Sequence, residues 1–186
     1  TISVSSFLLN RSSDLRFGGV VAALSLVLMF LTTFISFGTY AFPAFSGILL
    51  IVIVIEAGYG YAFAVFAAVS VLSFLLVGDK EAALLYVAFM GHYPIIKSLI
   101  ERIRSRVLQY FVKLVLFNVC MIVSFFIATK LFTVPEDSFT IFGVYLPCVF
   151  LAIGNAAFIL YDICVTKLVT IYLLKWHKLF NKNTKL

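Results

Sequence analysis

From Gly18 to Phe37 the chain reads GGVVAALSLVLMFLTTFISF, a run without one charged side chain. Roughly 20 such residues are what a helix needs to cross the hydrocarbon core of a bilayer. A soluble fold carries about a quarter of its residues charged. Here 12% are charged against 63% hydrophobic, and mean hydropathy is +1.15. The charges are too few to cover a water-facing surface, so the sequence is that of an integral membrane protein. The run is too long for a signal-peptide core and lacks a convincing cleavage site, which makes it a retained span.

Five further segments follow, at roughly 44–57, 59–77, 82–103, 107–129 and 142–174. The second, AFSGILLIVIVIEA, is short and β-branched, a strand pattern in water. In lipid a lone strand leaves its backbone groups unpaired, so a short or tilted helix is expected. Pro43 is placed to open it and Gly58 to end it. Gly91 and Pro94 fall inside the fourth segment. Proline has no N–H and its ring clashes with the carbonyl four residues back, here Met90, so this helix is expected to kink or loosen. The expected fold is all-α: six transmembrane helices in one compact bundle, with residues 1–186 as a single polytopic domain.

Six crossings place both termini, the 2–3 turn and the 4–5 connection on one side. That side holds Arg11, Arg16, Lys97, Arg102, Arg104, Arg106, Lys113, Lys167 and the C-terminal lysines, whereas the other holds only Lys80 and Lys130. Basic residues mark the cytoplasmic face. The chain is therefore expected in the cell membrane with both termini inside. A net charge of +6 suggests nucleic acid only where it spreads over a wet face. No folded basic module or aromatic stacking platform exists among these charges, so nucleic acid is not an expected partner. The closing stretch KWHKLFNKNTKL instead suits Trp176 as an interfacial anchor and lysines against anionic lipids.

Polar residues at membrane depth are the candidates for function. Glu56 closes the second segment, where it sits at the interface, takes a proton or meets a cation from the 4–5 elbow. His92 lies within the fourth segment, and it either lines a site or packs with its ring nitrogens satisfied. The only other histidine is His177, and Cys120, Cys148 and Cys164 stand apart, so no metal site or cofactor is expected. Asn118 and Asn155 are helix glue or pocket lining. On the outer side Tyr40, Phe42, Asp79, Glu81, Tyr86 and the 133–139 turn form the candidate mouth of a pocket. Asp79 and Glu81 also read as wet loop charges.

RFGGVVAALSLVLMFLTTF (16–34), a brief second segment, six spans in a short chain and cytoplasmic ends resemble the membrane-embedded substrate-binding subunits of energy-coupling factor transporters. The resemblance implies capture of a small molecule at the outer face, between the 1–2, 3–4 and 5–6 loops, without catalysis. It also implies a separate transmembrane coupling subunit with two ATPases, since this chain has no Walker A pattern. Those subunits often meet their partner through an AxxxA patch on the first helix. Gly18-xxx-Ala22 and Gly19-xxx-Ala23 stand in that place here. Under this reading the substrate-binding candidates are Tyr40, Phe42, Asp79, Tyr86, His92 and Asn155. The partner-binding candidates are Gly18, Gly19, Ala22, Ala23, Arg102, Arg104 and Arg106. Two other readings stay open: a non-transporting scaffold or regulator acting through the arginine elbow, and a lipid-active enzyme using His92 and Asp162.

Overall fold

The computed structural model describes residues 4–35, 38–132, 140–141 and 144–176. The 133–139 turn and the basic stretch beyond Trp176 lie outside the described residues. Apart from a two-residue antiparallel pairing of Thr140–Ile141 with Val144–Tyr145, the elements are helical. Six helical segments result, and two compact units contain them, residues 1–132 and 133–186.

Helix α1 spans Val4–Leu31. It starts before the first apolar run and stops short of Phe37. The Thr32 hydroxyl donates to the Met29 carbonyl at 2.8 Å, and the Thr32 and Thr33 N–H groups reach back three residues instead of four. A threonine that offers the backbone another partner ends a helix in this way. After a short turn, α2 covers Ala41–Glu56, with Pro43 in its first turn where a missing N–H costs nothing. Ala57 and Gly58 alone join it to α3, Tyr59–Leu76. Gly58 has φ +92°, a conformation that a side chain would strain, and this sets the sharpness of the joint.

Next comes α4, Lys80–Leu85, then a π-helical turn at Tyr86–Met90, and α5 at Tyr93–Ile100. The fourth segment is thus broken where the proline was expected to break it. Pro94 cannot donate to Met90. The helix widens just before it, and the Gly91 N–H bonds to Tyr86, five residues back, at 2.8 Å. Helix α6, Arg106–Phe132, completes the first unit. In the second unit α7, Leu146–Ile171, runs into a π-helical turn at Tyr172–Trp176.

Four stretches are long and apolar enough to cross a membrane: Tyr59–Leu76, Lys80–Ile100, Arg106–Lys130 and Val149–Leu174. Leu15–Leu31 and Ala41–Glu56 are apolar but shorter. Large apolar side chains stay exposed along whole helix faces, including Val20, Leu24 and Val27 on α1 and Val71, Leu75 and Leu76 on α3. The same holds for Phe111, Val119 and Phe126 on α6 and for Phe150, Ile153 and Leu160 on α7. Water-soluble monomers rarely expose apolar patches above a few hundred Å². Hydrocarbon is the solvent that these faces fit.

The core of the first unit follows helical spacing. Gly18, Val21, Ser25 and Met29 form the buried stripe of α1, three or four residues apart and therefore on one face, and Thr32 is buried just past its end. That stripe packs against α2 and α3, and Leu50, Ile53, Ala62, Val69 and Ile95 close the cluster around it.

Candidate functional site

Inside the first unit, the broken helix governs the geometry. The Met90 carbonyl, deprived of its donor by Pro94, lies directly on Gly47 of α2. A Cβ at position 47 would collide with the Met90 carbonyl oxygen and come within 2.9 Å of its carbon. A backbone-to-backbone approach of this kind requires glycine. The neighbouring Gly91 is as confined, since a Cβ there would meet the Phe66 ring at 2.7 Å and the end of the Tyr86 ring at 2.9 Å.

Tyr86 is fully buried, with its ring 5.9 Å from that of Phe66. Its hydroxyl approaches the Ser46 side chain on α2, but neither hydroxyl closes a hydrogen bond of proper geometry. Ser70 and Ser73 lie on the Phe66 face of α3, at i+4 and i+7. They too are buried and lack a hydrogen-bond partner. Buried polar groups are nearly always satisfied, so each exception needs a cause, such as a water or another small polar occupant. Here Ser46 of α2 and Tyr86 meet beside the place where the helix is broken, and Ser70 and Ser73 continue along α3 away from Phe66. His92 directs its ring to the Val87 carbonyl and packs edge-on against Phe66 and Phe89. It helps to satisfy the broken turn. Phe89 in turn stacks on Tyr93 at 4.6 Å and meets Phe117 of α6 edge-on at 5.1 Å.

The loops that follow α1 and α3 are tied to one another. Asp79 caps α4, accepting from the Ala82 N–H at 3.0 Å, and its other oxygen accepts from the Thr39 hydroxyl at 2.8 Å. The Tyr40 hydroxyl donates to Glu81 at 2.9 Å. The hydrogen bond to Glu81, then partial burial and the nearby carboxylates, raise the Tyr40 phenol above its ordinary pKa. The Gly78 N–H donates to Thr33 at 3.1 Å. The Phe42 ring, in the first turn of α2, lies against Gly38 of the preceding loop. Tyr40 and Asp79 therefore come together as a latch between the first and second hairpins. Tyr86, expected beside them, is drawn down to Gly91.

At the other end of α5 the chain turns through 101–105 into α6. Lys97 and Lys113 are 2% and 3% exposed, and both ammoniums converge on one Glu101 oxygen, at 2.6 and 2.9 Å. Burial works to raise the Glu101 carboxyl. The hydrogen bonds and charges of Lys113 and Lys97 outweigh it and hold the group below its ordinary value. The Gln109 amide donates to the Glu101 and Ile103 carbonyls at 3.2 and 2.7 Å, fixing the turn. Arg102 donates to the Tyr59 hydroxyl at 3.0 Å and lies over that ring. The Ser98 hydroxyl is 3.1 Å from the same oxygen.

Of the small residues on α1, Gly18 is buried against Val65 of α3, and Ala22 packs on the core. Gly19 and Ala23 are exposed, and a Cβ at position 19 would meet nothing within 4 Å. In the second unit the Asn155 amide donates to Leu151 of its own helix at 2.8 Å, and Phe158, Asp162 and Val165 form a buried stripe. Ser46, Ser70 and Ser73 went unremarked in the sequence, because isolated serines in apolar runs are common. Gly47 gave a readable signal, since a glycine inside a helix costs about 1 kcal/mol and often marks a close approach. Among the described residues, no three His, Cys, Asp or Glu side chains gather so as to hold a metal ion. Compared with family models, curated proteins and solved structures, the chain matches none.

Proposed function

We propose that the chain is a six-span membrane protein with cytoplasmic termini that captures a small molecule from the outer side. In this reading it is the substrate-binding subunit of an energy-coupling factor type of uptake system, and separate coupling and ATPase subunits supply the work. The observation that carries the binding role is the buried, unsatisfied hydroxyls of Ser46 and Tyr86 beside the broken helix, with those of Ser70 and Ser73 further along α3. A buried hydroxyl without a partner costs about 1–3 kcal/mol. Hydroxyls buried in this state favour an occupant that supplies donors and acceptors. Broken membrane helices serve this purpose in transporters because they free backbone groups for a ligand. The aromatic walls of Phe66 and Tyr86, with hydroxyls between, suit an uncharged polar or heterocyclic solute. The Tyr40–Glu81 and Thr39–Asp79 contacts support a closed outer entrance.

Native mass spectrometry of the full chain, purified in mild detergent from its producing cells, tests the binding role. A discrete bound mass is expected, and Ser46→Ala with Tyr86→Phe should remove it while helical circular dichroism is kept. Retention of the same mass after both substitutions, or no bound mass in the parent protein, would refute the assignment. For the coupling role, Gly19→Leu should leave stability unchanged yet abolish recovery of a membrane partner, because that position faces outward.

A further inference from the structure

The elbow between α5 and α6 carries Arg102, Arg104 and Arg106 within five residues, all exposed. Its single carboxylate, Glu101, is turned to the two buried ammoniums of Lys97 and Lys113. Both lysines bond the same Glu101 oxygen, so that carboxylate is engaged away from the arginines. Arg102 spends a donor on the neutral Tyr59 hydroxyl, which fixes its position without neutralising it. Among the described residues neither Arg104 nor Arg106 forms an ion pair or hydrogen bond. Gln109 holds the turn rigid from within. The arginines are therefore presented on a preset frame, which limits the ordering cost of any ligand they bind.

What surrounds them identifies the ligand. Exposed apolar side chains stand at both feet of the elbow: Leu99 on α5, and Val107, Leu108, Tyr110 and Phe111 on α6, with Val107 81% exposed. Such a band facing outward belongs in hydrocarbon, so the guanidiniums beside it lie at the depth of lipid headgroups. Guanidinium matches phosphate oxygens in charge and in its fork of N–H donors. We infer that the 101–106 elbow is a binding site for the phosphate headgroup of an anionic phospholipid, whose acyl chains lie along Leu99, Val107 and Phe111. The site is separate from the hydroxyl-lined interior and stands whether or not that interior holds a solute.

The test is lipid retention by the full chain, read by native mass spectrometry in a neutral detergent. Phosphatidylglycerol and phosphatidylcholine with identical acyl chains are titrated in parallel. The parent protein should keep phosphatidylglycerol preferentially, and Arg104→Gln with Arg106→Gln should reduce that preference by roughly thirtyfold, each surface arginine contributing on the order of 1 kcal/mol. The paired Arg104→Lys and Arg106→Lys variant should keep part of the preference and serves as a folded control. Raised salt should weaken it in the parent and in the lysine variant, and leave the glutamine variant little changed. Equal retention of the two lipids by the parent would overturn the inference even if every variant failed to fold. Displacement of the lipid by millimolar inorganic phosphate would overturn it in favour of a free-phosphate site. A preference unchanged in the glutamine variant, or recovery of a protein partner in place of lipid, would overturn it as well.

Discussion

Substituting Gly47→Ala tests whether the freed Met90 carbonyl is seated on α2. Two effects oppose each other. Alanine favours a helix interior over glycine by about 1 kcal/mol. Against this, the new methyl would overlap the Met90 carbonyl oxygen and stand 2.9 Å from its carbon, whereas ordinary contact begins near 3.4 Å. The obstacle is backbone, so no rotamer change relieves it. Helix α2 and the π-helical turn must separate by at least half an ångström, and the packing of Leu50 and Tyr86 loosens with them. Overpacking of this kind costs about 1–3 kcal/mol, and the rigid obstacle puts this case at the upper end. The net expectation is a loss of about 2 kcal/mol, or about 4–8 °C in Tm for a chain of this size. Thermal unfolding in detergent, followed by far-ultraviolet circular dichroism, reads it. Gly19→Ala is the matched control, because a Cβ there meets nothing, and it should be neutral or slightly stabilising. If Gly47→Ala unfolds at or above the parent Tm, the seating of Met90 on Gly47 is refuted.

Further outcomes concern charge and topology. Glu101 is held below the ordinary carboxyl range by Lys113 and Lys97 against burial, so its contribution is full above about pH 4.3 and fades as pH falls below that value toward its folded pKa. The chain should lose Tm across that acidic window, and Glu101→Gln should flatten the loss. Its cost at neutral pH is on the order of 1 kcal/mol, discounted because 39% of the side chain stays exposed. Tyr40 is shifted upward by its bond to Glu81, so its stabilising effect should persist below its ordinary value of about 10 and disappear as pH rises through the folded pKa. Absorbance titration of the parent against Tyr40→Phe should show the missing phenol to be a late-titrating one. Asp79→Ala removes the α4 cap and the Thr39 tie together, and a drop of at least about 1 kcal/mol is expected in the same thermal assay. With Cys120, Cys148 and Cys164 replaced by Ser, Ser105→Cys should react with an impermeant maleimide only after cells are opened, and Glu81→Cys in intact cells. The reverse pattern would overturn the proposed orientation.

The helices were legible because apolar runs in lipid leave the backbone little alternative. Segment 59–77 became Tyr59–Leu76 almost unchanged, and 107–129 became the middle of α6. The break near Pro94 was legible too, since it follows from a missing N–H. The end of α1 was not. Nothing in LTTFISF shows that Thr32 will bind the Met29 carbonyl before the apolar run is over. The polar stretch from Asn10 to Asp14, which reads as a cap region before the first apolar run, instead lies inside the helix. The site was legible only in part, because its contacts join residues far apart in the chain. Glu101 shares the turn of one lysine but meets the other from α6, and Gly47 meets Met90 across two helices. Tyr86 was expected near the loops, on the assumption of a regular helix. In the structure it opens a π-helical turn and is buried.

The joint at Ala57–Gly58 bears on where this molecule can yield. Two residues, one of them at φ +92°, leave α2 and α3 almost no independent travel, and α1 lies across both. These three helices form a stiff cradle. The broken helix packed on α2 has surrendered a regular hydrogen bond at Pro94, and the wider Gly91–Tyr86 bond and the His92–Val87 contact hold the turn in its place. Any breathing that lets a molecule in or out is cheapest there, so Tyr86 and His92 should exchange their surroundings while the cradle stays still.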